Sequence, residues 1–161
     1  MRYCLWYSDD KDGFYKQDDA IVSFGKKSTL EEFVKKNGLI LSEEEVPDDN
    51  ILNYDVDFFC NWLQENDACN ETPEIACSKF LNLWNIVLDI AHTLDILFYG
   101  DEKEGLSIDV YNKLFYGCNL PVLRGAGEIF IPQWDDEDIA ELRKVITDCI
   151  KIINQYIFKN Q

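Results

Sequence analysis

Residues 135–156 carry a pattern that only a helix with one buried face can use. Ile139, Leu142, Val145, Ile146, Cys149, Ile152, Ile153 and Tyr156 recur with a period of about 3.6 residues, so they form one stripe that has to be covered. The residues before the stripe mark where the helix starts. Asp135 supplies an N-cap carboxylate, the acids at 135–138 complement the positive end of the macrodipole, and Trp134 at N′ is placed to staple onto Ile139. A second stripe runs through Phe80, Leu83, Trp84, Val87, Leu88, Ala91 and Leu94. Thr72, Pro73 at the first helical position and Glu74 in the first turn open it. Shorter helices are expected over 57–65, with Phe58, Phe59, Trp62 and Leu63 at helical spacing, and over 107–116, ending at Gly117. These stripes require a mostly helical body.

The first forty residues follow another period. Apolar and β-branched runs at 3–8 and 20–24 predict two antiparallel strands, with a turn at Asp12-Gly13 and with Phe14-Tyr15 extending the second strand. Ser28-Thr29-Leu30-Glu31 reads as a capping box, with Ser28 as N-cap and Glu31 at N3. Leu30, Phe33 and Val34 share a face of the helix that follows, Gly38 stands where a C′ glycine belongs, and 39–41 is expected to return as a third strand. Residues 42–57 are an acidic, proline-containing connection, and 120–132 is a loop with one short strand. The fold class expected is α+β: a small N-terminal antiparallel sheet with one helix, followed by a mostly helical body. One domain spans 1–161, with its sheet-containing part at about 1–41 and its helical part at about 55–160. A chain of 161 residues with 47% apolar content buries roughly 70% of its unfolded surface and fills a core without staples.

Charge narrows the function classes. There are 31 acidic and 15 basic side chains, for a net charge of −16. Nucleic-acid affinity comes from neutralising phosphates with Lys and Arg, and this surface repels phosphates and anionic membranes alike. The 22 aromatics spread along the chain exclude a disordered acidic tail. The N-terminus lacks the apolar h-region of a signal peptide, and the apolar stretch at 75–99 is interrupted by polar residues, so a cytoplasmic protein is expected. The six cysteines, Cys4, Cys60, Cys69, Cys77, Cys118 and Cys149, are then reduced thiols, several of them in the core. No pair has C-x2-C or C-x4-C spacing and His92 is the single histidine, so no metal site and no cofactor is expected.

Catalytic signals are thin. His92 lies three residues from both Asp89 and Asp95, a spacing that brings a carboxylate alongside the imidazole but is common on a polar helix flank. Gly125-Ala126-Gly127 starts like a dinucleotide loop, yet position 130 is Phe and no clear strand precedes it. P-loop, nucleophile-elbow and zincin motifs do not occur.

The strongest signal is where the charges fall. Residues 37–78 contain no Lys or Arg and eleven acids: Glu43, Glu44, Glu45, Asp48, Asp49, Asp55, Asp57, Glu65, Asp67, Glu71 and Glu74. Asp57 and Glu74 are explained as helix N-terminal acids, but the 43–49 cluster is not. Unbroken negative charge destabilises by self-repulsion, and a basic partner would relieve it and be steered in quickly. The partner-binding residues expected are Glu43, Glu44, Glu45, Asp48 and Asp49, then Asp55, Glu65 and Asp67, with Tyr54 and Trp62 as aromatic anchors.

The short aromatic strand Tyr3-Cys4-Leu5-Trp6-Tyr7, the strand around Ile21-Val22-Ser23-Phe24 running directly into a capped helix, the helical body and the acidity together resemble bacterial immunity proteins of polymorphic or contact-dependent growth-inhibition toxin systems. The resemblance is one of style across most of the chain. It implies specific binding to the C-terminal domain of a cognate toxin encoded next door, often a basic nuclease, by a protein that is not an enzyme. The competing reading is a nucleic-acid mimic or general acidic adaptor that binds several basic partners. An enzyme using Asp89, His92 or a cysteine is a third.

Overall fold

In the computed structural model, which describes residues 2–8, 10–40, 55–65, 72–102, 104–120 and 127–158, the N-terminal strands form three short ladders rather than one flat sheet. β1 (Tyr3–Cys4) pairs antiparallel with β6 (Ser23–Phe24), β2 (Trp6–Tyr7) with β3 (Gly13–Phe14), and β4 (Lys16–Gln17) with β5 (Ala20–Ile21). Segments 3–7, 13–17 and 20–24 therefore each change partner at a middle residue, and each pairs with both of the others. At these junctions Tyr15 N donates to Leu5 O at 2.9 Å and Val22 N to Tyr15 O at 3.1 Å. The ladders close into a triangle, which leaves no long edge for another chain to extend. Where two strands were expected there are three, because Asp18 adopts the left-handed region (φ 53°) and makes an additional tight turn between β4 and β5.

α1 (Lys27–Asn37) covers one face of this triangle. The Phe33 ring meets Tyr15 and Phe24 at centroid distances of 5.7 and 5.2 Å, flanked by buried Leu30 and Val34. The expected capping box is not formed: the N-cap is Lys26, without a side-chain cap, and Ser28 is the second helical residue. The chain leaves β6 at Phe24 and needs only Gly25 and Lys26 to enter the helix, so the start falls two residues early. The other end is as expected. Gly38 (φ 64°) donates to Lys35 O and Leu39 to Val34 O, which is a Schellman closure. Residues 39–40 form no strand, and Leu41 lies outside the described residues.

The helical body consists of α2 (Val56–Glu65), α3 (Pro73–Leu94), a 3-10 turn at Tyr99–Asp101, α4 (Leu106–Gly117), α5 (Asp136–Ile153) and a π turn at Asn154–Phe158. Among the described residues this is an α+β fold with five α-helices. α3 is the centre. Its Phe80 and Val87 are fully buried, as are Val110 and Leu114 of α4 and Leu142, Val145 and Cys149 of α5. α2 lays Phe58, Phe59 and Trp62 on the Phe80 ring at 5.9, 5.0 and 4.9 Å, and Arg143 of α5 donates to Leu63 O at 2.9 Å, satisfying a carbonyl in the last turn of α2.

Two glycines of the helical body set how closely its elements approach. A Cβ at Gly117 would lie 2.5 Å from Cys77 Sγ, and one at Gly100 would lie 2.5 Å from the Phe98 ring and 2.6 Å from Trp84 Nε1. That indole donates to Gly100 O at 3.0 Å. α5 opens with a capping box in which Asp135 Oδ1 accepts from Asp138 N at 2.9 Å and Asp138 Oδ2 accepts from Asp135 N at 3.1 Å. Backbone N–H donors hold the Asp135 carboxyl below its usual range, with the Asp138 amide foremost. Trp134 packs edge-to-face on Trp62 at 5.7 Å. The short strand expected within 120–132 is not formed at 127–132, and 121–126 lies outside the described residues.

The triangle's inner face docks on the end of α3. Phe14 and Ile21 enter the core there, Phe14 N donates to Thr93 Oγ1 at 2.9 Å, and Lys16 Nζ donates to Thr93 O at 2.6 Å. Ser23 Oγ donates to Ile157 O of the π turn at 3.1 Å. No helix among the described residues is long and apolar enough to cross a membrane.

Candidate interaction surface

Most of the acidic stretch singled out in the sequence lies outside the described residues: Glu43, Glu44, Glu45, Asp48, Asp49, Tyr54 and Asp67. Glu65 is the last residue of α2, and its side chain is likewise outside them. Asp55 is exposed, and its Oδ1 accepts from Asp57 N at 3.0 Å just ahead of α2. Its carboxylate therefore shields an N-terminal amide while facing solvent. Trp62 requires a correction. It is only 7% exposed and wedged between Phe80 and Trp134, because its spacing with Phe58, Phe59 and Leu63 puts it on the core face of α2. It is not an exposed anchor.

The other candidate residues are His92, with Asp89 and Asp95, and the cysteines. His92 sits in the last turn of α3, and its hydrogen-bond partner among the described residues is Asp101, with Nε2 to Oδ2 at 3.1 Å, rather than Asp89 or Asp95. Asp89 instead accepts from Trp6 Nε1 at 3.0 Å. Five cysteines are described, all free thiols; Cys77, Cys118 and Cys149 are buried, Cys4 is half-buried and Cys60 is exposed. Burial pushes the Cys77 thiol up to about 12 and Cys4 up to about 11, and raises Cys118 and Cys149 as well. None of these four is a ready thiolate at neutral pH. Among the described residues no group of three or more His, Cys, Asp or Glu is placed to hold a metal ion.

An open groove of about 680 Å³ runs along α5, lined by Tyr99, Ala140, Arg143, Lys144, Thr147, Asp148 and Lys151. Its cations are already engaged. Lys144 donates to buried Glu141 at 2.9 Å, Lys151 lies 3.6 Å from Asp148, and Arg143 caps α2. Tyr99 is fixed in the groove wall, with its hydroxyl donating to Glu141 at 2.8 Å and its N–H to Asp148 at 3.0 Å. The hydrogen bond to Glu141 raises the Tyr99 and Lys144 pKa values together, so this is a self-neutralised network.

Sequence reasoning missed a different feature, an exposed apolar cluster where α4 ends. Tyr116 is 61% exposed, Ile129 65%, Phe130 42% and Ile131 57%. The Tyr116 ring meets Phe115 at 5.6 Å and Phe130 at 6.2 Å. Asn119 holds the cluster together. Its buried amide donates to Phe130 O at 2.9 Å and to Gly117 O at 3.1 Å, and its Oδ1 accepts from Phe130 N at 2.7 Å. Both backbone polar groups of Phe130 are thus satisfied by one side chain, as a neighbouring strand would satisfy them. Asn119 does this from the left-handed region (φ 50°), which asparagine tolerates. The available signal was the run Ile129-Phe130-Ile131 in a segment otherwise rich in Gly and Pro, which periodicity alone reads as a strand.

No family model, no curated protein and no solved structure matches this chain.

Proposed function

We propose that this chain is a non-enzymatic binding protein that neutralises a basic partner domain, in the manner of a bacterial immunity protein acting on its cognate toxin in the cytoplasm. The observation that carries the reading is the charge distribution: a net charge of −16, with eleven acids and no base across residues 37–78. Such a charge distribution draws in a cationic cleft at long range and suits the Lys and Arg that line a nuclease's substrate site. One further point supports it: four of the five described thiols have raised pKa values, so those four are held as neutral thiols at neutral pH.

The test is coexpression with the C-terminal domain encoded by the adjacent upstream reading frame. That domain should copurify stoichiometrically and kill cells only when this chain is absent. Glu43, Glu44 and Glu45 changed together to Lys should slow association by about tenfold or more at low salt and flatten its salt dependence. Absence of binding overturns the reading. Weak, similar binding to many basic proteins favours a general acidic adaptor instead, and an unchanged on-rate removes the 43–45 acids from the interface.

A further inference from the structure

The apolar cluster at the end of α4 differs from the other exposed hydrophobic residues. Leu97 and Ile40 are more exposed, but scattered apolar side chains are ordinary on a protein surface. Here Phe115, Tyr116, Ile129, Phe130 and Ile131 are all exposed on two neighbouring segments. A buried asparagine pins the backbone that displays three of them. Pro132, directly after them, is buried where a Cβ at Gly117 would come within 3.1 Å of its ring. The display is rigid, so a partner that buries it loses little ordering entropy in this chain.

The border of the cluster is acidic. Glu128 precedes Ile129, and Asp135, Asp136 and Glu137 follow Gln133 and Trp134; all four acids are exposed. Over residues 114–142 there are six acids and one base, Arg124, which lies outside the described residues. Lys113, one turn before Tyr116, is drawn off by the ion pair its ammonium makes with buried Asp138. An aromatic and aliphatic centre with a negative rim fits a partner with an apolar centre and a Lys- or Arg-rich rim. A second copy of this chain fits poorly, since apposing two such faces brings the acids of two chains of charge −16 together.

We propose that Phe115, Tyr116, Ile129, Phe130 and Ile131 form the apolar centre of the docking surface for a basic protein partner, with Glu128 and the acids at 135–137 as its rim. This rests on the reading of the chain as a binder of basic domains, and it gives that reading a central anchor in place of Trp62. The long-range attraction of the 37–78 acids sets the on-rate, while this cluster sets how long the complex lasts.

The full chain, labelled with 15N, is titrated with a synthetic amphipathic peptide of alternating lysine and leucine, and in parallel with the same peptide carrying glutamate for lysine. The amides of 115–116 and 129–131 should shift with the lysine peptide and stay in place with the glutamate peptide. The double change Tyr116→Ser and Phe130→Ser should weaken the lysine peptide roughly 30-fold. Phe130→Ser leaves the backbone groups held by Asn119 intact, and the mapping on the unaltered chain needs no variant to fold. Shifts confined to other acidic segments, equal binding of the glutamate peptide, or sedimentation of the free chain as a dimer that the double variant dissociates would each overturn the proposal. Failure of the coexpressed domain to bind removes the toxin reading, whereas the peptide map decides the surface on its own.

Discussion

In the helical body Phe80, Val87, Val110, Leu114, Leu142 and Val145 have no exposed surface, whereas among the described residues the N-terminal triangle buries Phe14 and Ile21 in the same core and packs half-buried Cys4 against it. α1 buries Leu30 and Val34, but they do not belong to that core. The two regions therefore use different forces. The body is held by apolar burial around α3. The triangle is held on the body by a few polar contacts: Phe14 N and Lys16 Nζ on Thr93, Trp6 Nε1 on Asp89, and Ser23 Oγ on Ile157 O. Such an arrangement makes the body the last part to unfold, with the triangle able to open first.

The largest effect is expected where burial is complete. Phe80→Ala removes the ring on which Phe58, Phe59 and Trp62 all pack, and should cost about 3–5 kcal/mol in a urea unfolding curve. Leu30→Ala empties a site in the thin layer between α1 and the triangle, which can collapse more easily, and should cost about 2 kcal/mol. Equal costs would show that α1 is as integral to the core as α3 is, and the contrast between the regions would fail.

Thr93→Val tests the attachment itself. It keeps the shape of the side chain but leaves Phe14 N without its acceptor in a buried position, at a cost of about 1–3 kcal/mol. Amide exchange should then speed up over 13–21 while α3 and α5 keep their protection. If protection falls uniformly instead, triangle and body form a single cooperative unit.

Legibility from sequence divided along the same line. α3 and the start of α5 were readable to within a residue, because Thr72-Pro73 and Asp135 are local signals and the stripes are long enough to fix the buried face. The stripe expected to reach Tyr156, however, gives way to a π turn after Ile153, which buries Ile157 instead. The triangle was not readable. Its ladders are two residues long, shorter than any alternation pattern can register, and its hairpin turns on a left-handed aspartate rather than a glycine. Ser28 and Glu31 matched a capping box by spacing, yet the helix start was decided by how soon the chain left β6. At the surface, Trp62 was an expected anchor because aromatic identity does not reveal which face of a short helix is buried. The cluster around Phe130 depends on Asn119 reaching eleven residues along the chain, and no local pattern encodes that contact.

The smallest effect concerns the contact between the regions in which a carboxylate takes part, Trp6 on Asp89. Asp89 is half-buried, and its pKa is raised above the usual 3.8, chiefly by burial and also by the charge of Asp12, against the opposing influence of Trp6 Nε1–H and His92. A carboxyl that holds its proton more tightly when folded stabilises the folded state, in full below its ordinary pKa. That advantage disappears as the pH rises through the raised value, so at neutral pH the ionised group weighs against folding. Asp89→Asn keeps an oxygen to accept from Trp6 and removes the charge. The melting temperature of the variant should exceed that of the parent slightly at pH 7, with the difference vanishing below about pH 4, where Asp89 is protonated in both states. A lower melting temperature at pH 7 would mean that the charge strengthens the indole bond by more than its burial costs. The triangle would then be fastened electrostatically, and raising the salt concentration should loosen it without touching the body.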